Sequence, residues 1–366
     1  MLVVHIVGAR PNFMKASSVI EALNKYEKVK QVLVHTGQHY DKNMSEIFFE
    51  QLGLPKPDVN LGVGSGSHAY QTAEIMVRLE KLLSEVKPDI VIVYGDVNST
   101  LAGALVCAKL LIPVAHVEAG LRSFDRTMPE EINRILTDQI SDLLFTTSVD
   151  ANENLAREGI PTHKIYFVGN TMIDTLIKLL PKAELLWNAN KFLLNSFEVT
   201  PQNYILVTLH RPSNVDDLNK LNQILKVLSE LSTYSKVIFP VHPRTQKMIK
   251  AINGIDLSKI YITEPLGYLE FLALQKYAKL VITDSGGVQE ETTYLGVPCI
   301  TLRENTERPI TVKIGTNKIV GSDLSRLREY AEDILQGHNN LSYEIPPLWD
   351  GKAGERIAKV ICKLYV

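Results

Sequence analysis

Short apolar runs alternate with helix-length segments along almost the whole chain, and this alternation constrains the fold more than any other feature. Runs that are apolar on consecutive residues are typical of parallel strands covered on both faces. One series lies at residues 3–7, 31–35, 90–94, 114–117, 143–146 and 165–168, and a second at residues 204–209, 237–241, 260–262, 281–283 and 299–302. Helical patterns, for example over residues 16–26 and 70–86, separate several of these runs. The pattern predicts an α/β protein with doubly wound, mostly parallel sheets.

Two domains are expected, because 366 residues exceed what a single hydrophobic core usually serves. A helical, loosely patterned stretch containing Pro181 and Pro201 separates the two series of apolar runs. We therefore place the domain boundary at residue 170. Residues 1–170 form an N-terminal Rossmann-like domain and residues 171–351 a C-terminal one.

Composition and charge exclude several classes of protein. The 39 basic and 41 acidic residues leave a net charge of −2, without the basic excess typical of nucleic-acid-binding or membrane-surface proteins. The apolar start lacks a basic flank and ends after seven residues, so it predicts a first strand and not a signal peptide. No run approaches the ~20 apolar residues that a membrane helix needs. Cys107 and Cys299 lie in apolar runs, which predicts buried, reduced thiols and a cytoplasmic protein.

Ligands of open α/β sheets bind outside the carboxyl ends of the strands, so the residues that follow each strand are the candidate site. After the first strand, Gly8 allows a tight turn into a helix, and Arg10 and Lys15 bring two cations to the start of that helix. This arrangement suits a phosphate, although it matches neither a P-loop nor a Gly-x-Gly-x-x-Gly motif. A structural role explains this segment equally well when it is taken alone.

Three acidic residues follow or adjoin later strands of the N-terminal domain. Asp96 comes directly after the run at residues 90–94, where capping the next helix is its simplest role. Glu118 precedes a glycine and an arginine at the end of the next run, and Glu130 opens a helix behind a proline. Together they indicate a set of carboxylates near one edge of the sheet.

The C-terminal domain carries the strongest single motif, DSGGVQEE at residues 284–291. Ser285, Gly286 and Gly287 open a helix, where free N–H groups can bind an anion without obstruction by Cβ atoms. Glu291 lies about a turn and a half into that helix, within reach of ribose hydroxyls. Arg308 adds a cation in a later turn. The sequence predicts a nucleotide diphosphate site, and a serine cap followed by packing glycines is the alternative.

His210 and His242 each end a strand and stand next to an arginine or a Pro-Arg pair. A single histidine in such a position is usually structural, but two of them favour a binding site. The spacing of the Cys and His residues does not match a zinc site, so no metal and no cofactor are predicted.

These segments together resemble the non-hydrolysing UDP-N-acetylglucosamine 2-epimerase family over nearly the whole chain. The resemblance depends on GARP (8–11), GD (95–96), HVEAGLR (116–122), PEE (129–131), HR (210–211), DSGGVQEE (284–291) and TERP (306–309). It implies a GT-B arrangement, in which two Rossmann-like domains face each other across a cleft. It also implies a homodimer and a final helix, within about residues 352–366, that returns to the first domain.

The resemblance also implies the reaction and the site residues. The reaction is reversible C2 epimerisation of UDP-N-acetylglucosamine to UDP-N-acetylmannosamine, by elimination and re-addition of UDP through a 2-acetamidoglucal, with a role in polysaccharide biosynthesis. The matching catalytic residues are Asp96, Glu118, Glu130 and His210. The residues expected to bind substrate are Arg10, Lys15, His242, Phe271, Ser285, Gly286, Gly287, Glu291 and Arg308, with Phe271 on the uracil and Glu291 on the ribose.

The expected chemistry suits this set of residues, since departure of the diphosphate builds positive charge at C1 and makes the C2 proton removable. Cations stabilise the leaving group, and carboxylates act as bases on the two faces of the sugar. The alternatives are a GT-B glycosyltransferase, a hydrolysing relative and a nucleotide-sugar sensor without turnover. Residues 35–40 and 64–68 also resemble relatives that act on UDP-2,3-diacetamido-2,3-dideoxyglucuronate, whereas residues 306–309 favour N-acetylglucosamine.

Overall fold

The computed structural model describes residues 1–38, 53–189, 197, 199–252, 254–338 and 342–365. The chain groups into two compact units. Unit 1 comprises Met1–Lys178 and Pro347–Val366, and unit 2 comprises Leu179–Pro346. His39 and Tyr40, which belong to one of the segments resembling the diacetamido-sugar enzymes, lie outside the described residues.

Unit 1 contains, within the described residues, a seven-stranded parallel sheet in the order β3-β2-β1-β4-β5-β6-β7. The strands are β1 (Leu2–Val7), β2 (Lys30–His35), β3 (Val59–Asn60), β4 (Ile90–Tyr94), β5 (Val114–Ala119), β6 (Leu143–Thr146) and β7 (Ile165–Phe167). The helices are α1 (Arg10–Leu23), α2 (His68–Val86), α3 (Asn98–Leu110), α4 (Pro129–Ile140), α5 (Val149–Arg157), the start of α6 (Thr171–Ala189) and the C-terminal α14 (Ala353–Tyr365).

Every residue of the central strands β4 and β5 is buried. This burial explains why both strands lack Asp, Lys and Arg and contain a single Glu, Glu118, near the carboxyl end of β5. The order of the strands reverses between β1 and β4, which pair directly with Val3 opposite Ile90. The crevice at such a reversal is the usual ligand site of an open α/β sheet. The loops after β1 and β4 are therefore the first place to look for chemistry in unit 1.

Unit 2 contains a six-stranded parallel sheet in the order β10-β9-β8-β11-β12-β13, again counting the described residues. Its strands are β8 (Tyr204–Thr208), β9 (Lys236–Pro240), β10 (Ile260–Thr263), β11 (Leu280–Thr283), β12 (Cys299–Thr301) and β13 (Asn317–Ile319). Its helices are α7 (Pro212–Val215), α8 (Leu218–Leu231), α9 (Pro243–Lys250), α10 (Tyr268–Tyr277), α11 (Gly286–Leu295), α12 (Ile310–Lys313) and α13 (Leu324–Leu335), after the end of α6. Counted from β8, the order is the 3-2-1-4-5-6 of a Rossmann fold, with its reversal between β8 and β11.

The predicted fold class, α/β with two Rossmann-like doubly wound domains, is confirmed by these two sheets. Each predicted strand is present to within two residues. The short edge strands β3 and β13 were not predicted, because two or three residues are too few to form a recognisable apolar run. Helix α1 begins at Arg10, six residues before the helical pattern is evident. None of the helices in the described ranges is long and apolar enough to span a membrane.

Candidate functional site

The loops after β1 and β4 are joined by the side chain of Asn12. Its Oδ1 accepts from the N–H groups of Gly8 (3.1 Å) and Ala9 (3.0 Å), and its Nδ2 donates to the Tyr94 carbonyl at 2.8 Å. A Cβ atom on Gly8 would overlap Ser99 Oγ, at the start of α3. Glycine is needed here because the turn after β1 lies directly against α3.

Lys15 and Glu118, both predicted site residues, form a buried ion pair at the same edge of the sheet. Lys15 Nζ donates to Glu118 Oε1 at 2.7 Å, and the two side chains are only 5% and 3% exposed. Gly95 makes room for this pair, since a Cβ atom there would lie 2.8 Å from Lys15 Nζ. The predicted phosphate cation is therefore already paired with a predicted catalytic carboxylate.

Glu118 has a strained backbone. Its φ of 76° is in the left-handed region, which is costly for a residue with a Cβ atom. The pairing of β5 with β6 shifts in register between Val117 and Ala119, so Glu118 occupies a bulge. Bulges of this kind redirect a side chain and are common next to active sites. Here the bulge lies where the glutamate contacts Lys15.

Asp96 is held by Arg134 of α4. The guanidinium of Arg134 pairs with the Asp96 carboxylate, which is 22% exposed, and also with the buried Glu131 at 2.6 Å. Glu131 in turn accepts the N–H groups of Ser123 (3.0 Å) and Phe124 (2.8 Å). Burial raises the pKa of Glu131, but these N–H groups and Arg134 more than offset it, and the pKa lies below its usual value. Glu131 is thus a structural carboxylate that connects the loop after β5 to Asp96 through Arg134.

A second buried network supports the backbone between β4 and β5. His116 Nε2 lies 2.7 Å from the Gly95 carbonyl, and its Nδ1 lies 2.6 Å from Asp138. Asp138 also accepts the Gly120 N–H at 3.0 Å and pairs with Arg122 at 2.7 Å. Although burial raises the pKa of Asp138, the contacts with His116 and Arg122 lower it below the usual value. The HVEAGLR segment therefore supplies one candidate catalytic group, Glu118, and two groups that hold the strand end.

The remaining predicted residues of unit 1 open helices at this edge. Arg10 is the first residue of α1 and is exposed. Glu130 lies in the first turn of α4, half-buried, and its carboxylate makes no hydrogen bond or ion pair to any described residue. Both side chains are accessible to a ligand.

In unit 2, the loop after β8 wraps around the fully buried carboxylate of Asp284. The N–H groups of His210 (3.1 Å) and Arg211 (3.0 Å) and Nδ2 of Asn214 (3.0 Å) donate to it, and His210 Nδ1 lies at 2.8 Å. Burial alone raises the pKa of Asp284, but its contacts with His210, Asn214 and Arg211 bring the pKa below the usual value. The two loops at the strand reversal are joined through this one side chain.

The start of α11 keeps the features predicted for an anion site. Ser285 is the N-cap residue, yet its side chain makes no capping hydrogen bond, contrary to a simple serine cap. Its N–H donates to Thr283 Oγ1 at 3.0 Å. Gly286 and Gly287 form the first turn and are partly exposed. The N–H groups of this turn are therefore not used by the Ser285 hydroxyl.

Arg308 packs against this helix start. A Cβ atom on Gly286 would overlap the Arg308 guanidinium, so the glycine provides the space that the guanidinium occupies. Arg308 pairs with Glu290 at 3.0 Å and with Glu307, while Glu307 also pairs with Arg303 at 2.6 Å. Arg303, Glu307, Arg308 and Glu290 thus form a buried row of alternating charges beside the glycines. Arg308 is the member next to the start of α11.

Glu291 is buried beneath the helix start with both carboxylate oxygens in use. Tyr268 donates its hydroxyl to Oε1 at 2.8 Å, and the Gln275 amide, in the orientation that satisfies both of its ends, donates to Oε2 at 3.0 Å. Burial raises the pKa of Glu291 to about 7, with Glu290 adding to the effect and Tyr268 and Gln275 opposing it. This carboxyl group therefore titrates close to neutral pH.

The last two predicted residues lie on helices of unit 2 that are consecutive along the chain. His242 is the exposed N-cap residue of α9, and its Nδ1 accepts the Arg244 N–H at 3.3 Å. Phe271 is half-buried on α10, the helix that also carries Tyr268 and Gln275. No group of three or more His, Cys, Asp or Glu side chains in the described part of the chain is placed to hold a metal.

Sequence reasoning missed the residues that hold the predicted ones. For Arg134 a signal was present, because it stands one helical turn after Glu131 on α4, the spacing of an ion pair. For the contacts of Asp284 with His210, of Tyr268 with Glu291 and of Asn12 with Tyr94 there was none, because the partners are separated by tens of residues along the chain.

Comparisons with known proteins agree along the whole chain. A family model described as UDP-N-acetylglucosamine 2-epimerase matches residues 21–362. The chain is 50% identical over 362 residues to the UDP-N-acetylglucosamine 2-epimerase of Methanocaldococcus jannaschii, with 97% of each covered. It is 42% identical over 368 residues to the UDP-2,3-diacetamido-2,3-dideoxy-D-glucuronate 2-epimerase of Pseudomonas aeruginosa, with 100% of each covered. The crystal structure of the M. jannaschii UDP-GlcNAc 2-epimerase in complex with UDP-GlcNAc and UDP matches with a TM-score of 0.89 and 47% identity, covering 99% of this chain and 100% of that chain.

Proposed function

The chain belongs to the UDP-N-acetylglucosamine 2-epimerase family, and we propose that it is an isomerase that interconverts UDP-N-acetylglucosamine and UDP-N-acetylmannosamine. The observation that carries the proposal is the carboxyl edge of unit 1, where Asp96 and Glu118 are each held by a cation on neighbouring loops or helices. A protein that only bound an anionic nucleotide sugar would have no use for such carboxylates.

The reaction begins with cleavage of the bond between C1 and the diphosphate oxygen, whose electron pair leaves with UDP. A carboxylate removes the C2 proton, and the C–H electron pair forms the C1–C2 double bond of a 2-acetamidoglucal. Re-addition of UDP to C1, with a proton delivered to the other face of C2, gives the epimer. Asp96, Glu118 and Glu130 are the proposed acids and bases, since each is a carboxylate at or beside the edge where the strands end.

The helix start in unit 2 supports the other half of the reaction. Gly286 and Gly287 offer N–H groups at the positive end of α11, Ser285 offers its hydroxyl beside them, and Arg308 lies against the same turn. We assign the diphosphate to this turn, so that UDP stays bound after the C1–O bond breaks and can return. Arg10, Lys15, His210 and His242 are assigned to the diphosphate or sugar, and Phe271 to the uracil.

In D2O, the purified protein is expected to incorporate deuterium at C2 of UDP-N-acetylglucosamine with no acceptor present, because C2 exchanges its proton in each turnover. NMR and mass spectrometry of the recovered nucleotide sugars measure the label and the appearance of the second epimer. A GT-B glycosyltransferase would need an acceptor and leave C2 unlabelled, and a hydrolysing enzyme would release free sugar and UDP. Either result contradicts the proposal.

The identity of the sugar is a second question, since the P. aeruginosa relative is named for a diacetamido-glucuronate substrate. We propose N-acetylglucosamine as the substrate, because the TERP segment around Arg308 resembles the enzymes of that sugar. Turnover of both UDP-sugars by the same preparation distinguishes the two, and a higher kcat/KM for the diacetamido sugar would reverse this assignment.

Binding of UDP is expected to release a proton near neutral pH if Glu291 accepts the ribose hydroxyls. In the protein without ligand, the carboxyl group of Glu291 has a pKa of about 7, so it is largely protonated below pH 7. Hydrogen bonds from the ribose favour the ionised form, which lowers the pKa and makes the affinity rise, by up to about tenfold per pH unit, as the pH increases toward 7. Calorimetry in two buffers with different ionisation enthalpies counts the released protons.

The matched variant for this measurement is Glu291→Gln, which keeps the shape of the side chain and removes its titration. UDP itself titrates in this range, so the comparison between the two proteins isolates the contribution of Glu291. An equal proton count in both would exclude the ribose assignment.

The setting of the enzyme follows the same family resemblance. We propose a cytoplasmic homodimer that supplies an activated sugar for polysaccharide biosynthesis. The thiols of Cys107, Cys299 and Cys362 are all free, as suits a reducing compartment. Sedimentation equilibrium of the purified protein tests the dimer, and a monomer at micromolar concentration would refute it.

A further inference from the structure

Asp284 belongs to the segment expected to bind the diphosphate, yet its own carboxylate does not suit an anion site. Its side chain is fully buried, and its two oxygens accept from the N–H groups of His210 and Arg211 and from Asn214 Nδ2. A carboxylate that receives this many donors is held in its ionised form. Its negative charge would repel a phosphate, so its function is to position the groups that donate hydrogen bonds to it.

The group it holds most closely is the imidazole of His210. Nδ1 of the ring lies 2.8 Å from Asp284 Oδ1, and an ionised carboxylate can only accept, so Nδ1 carries a hydrogen. The His210 side chain is 60% exposed although its partner is completely buried. The second nitrogen, Nε2, is therefore the polar atom that the ring offers to a ligand.

We propose that Asp284 is the positioning residue of His210: it orients the ring, fixes the hydrogen on Nδ1, and thereby makes Nε2 the atom that contacts the departing diphosphate. This inference rests on the proposed function, because it gives an atom to the role assigned to His210. A carboxylate behind a histidine orients the ring and stabilises its cation in the same way in other enzymes.

The cationic form is the productive one in this arrangement. As an imidazolium, His210 donates Nε2–H to a diphosphate oxygen and offsets the charge that develops when the C1–O bond breaks. As a neutral ring with its hydrogen on Nδ1, it presents a lone pair to that oxygen. Among the described residues, the charged groups in contact with this segment include Asp284, the Arg211 guanidinium, whose Nε donates to the Asp284 carbonyl at 3.3 Å, and the Asp216–Arg244 pair at the end of α7.

Asp284→Asn is the direct test, since it removes the charge and keeps the size. 15N NMR of the histidine-labelled protein shows which ring nitrogen of His210 carries the hydrogen, which is expected to be Nδ1 in the unmodified protein. The neutral ring of the variant is expected to carry its hydrogen on Nε2, because an amide can donate to Nδ1. The loss of kcat/KM is expected to be about tenfold or more.

Asn214→Ala is the matched control, because it removes another partner of Asp284, on the adjoining helix α7, and leaves the carboxylate in place. In this variant the hydrogen of the His210 ring is expected to stay on Nδ1, as in the unmodified protein. A double-variant comparison adds a test of the route. With His210→Gln already present, Asp284→Asn is expected to lower kcat/KM by less than about twofold, because interacting residues are not additive.

A ring hydrogen that stays on Nδ1 in Asp284→Asn, together with an unchanged kcat/KM, would overturn the inference. If that variant does not fold, the spectrum of the unmodified protein still decides, since a neutral His210 with its hydrogen on Nε2 contradicts the inference. The NMR result is independent of turnover. A protein that shows the Asp284 effect on His210 but no C2 exchange in D2O would retain this inference and lose the proposed function.

Discussion

Asp96→Asn is expected to lower kcat by about 10³-fold while UDP binding is retained, because the change removes a group that can accept or donate a proton, while Arg134 keeps its pairing with Glu131. The Asp96 carboxylate pairs with Arg134 on α4 and is 22% exposed, so it is both held in position and open to a ligand. Asparagine preserves the shape and can still accept from Arg134, but it cannot take a proton from C2. Steady-state epimerisation and UDP titration measure the two properties separately.

Asp89→Asn is the matched control, since it is the same change at the opposite, amino end of β4. Asp89 accepts the Leu2 N–H at 2.6 Å and is exposed. Turnover of this variant is expected to equal that of the unmodified protein. Full activity in Asp96→Asn would remove Asp96 from the catalytic set.

Glu118→Gln is expected to abolish most turnover and also to destabilise the fold, which separates it from Asp96→Asn. The Glu118 and Lys15 side chains are 3% and 5% exposed, so the variant leaves a buried ammonium without its counter-charge. Breaking a buried ion pair from one side costs about 3–5 kcal/mol in the free energy of unfolding. Urea denaturation measures this loss, and kcat is expected to fall by about 10³-fold.

A double variant, Lys15→Met with Glu118→Gln, separates the two effects. Removing both charges of a buried pair is often nearly neutral for stability, so the free energy of unfolding is expected to recover. Turnover is expected to stay lost, because the proposed base and the proposed diphosphate cation are both missing. Recovery of turnover together with stability would mean that Glu118 acts only through the fold.

The matched control is the exposed Lys25–Glu355 pair, where Glu355→Gln is expected to change neither turnover nor the free energy of unfolding.

The strands could be predicted because their apolar runs are a local property. A strand that is covered on both faces must be apolar at consecutive residues, whatever its neighbours are, as in β4 and β5. The edge strands β3 and β13 are short and only partly buried, so the same physical demand does not act on them. The order of the strands is a long-range property, and no local run specifies it.

The same distinction between local and long-range properties applies to the residues of the candidate site. Gly8, Gly286 and the acids that follow strands are evident in the sequence, because a glycine at a close approach and a charge after a buried run are local features. Their partners are distant along the chain: Glu118 meets Lys15 across 103 residues, and His210 meets Asp284 across 74. The composition and the residue spacing of a single sequence do not show such contacts.

The sequence by itself determined the α/β class, the presence of two Rossmann-like domains and the family. These depend on repeated local patterns and on short motifs after strands, which remain recognisable without any knowledge of contacts. Only the tertiary structure decided which carboxylates are open to a ligand and which are held inside. Asp96 and Asp284 both follow a buried strand, yet one is partly exposed beside Arg134 and the other is completely buried behind His210. The physical reason is that the environment of a carboxylate, and with it the pKa and the role, is set by neighbours that packing brings together from distant parts of the chain.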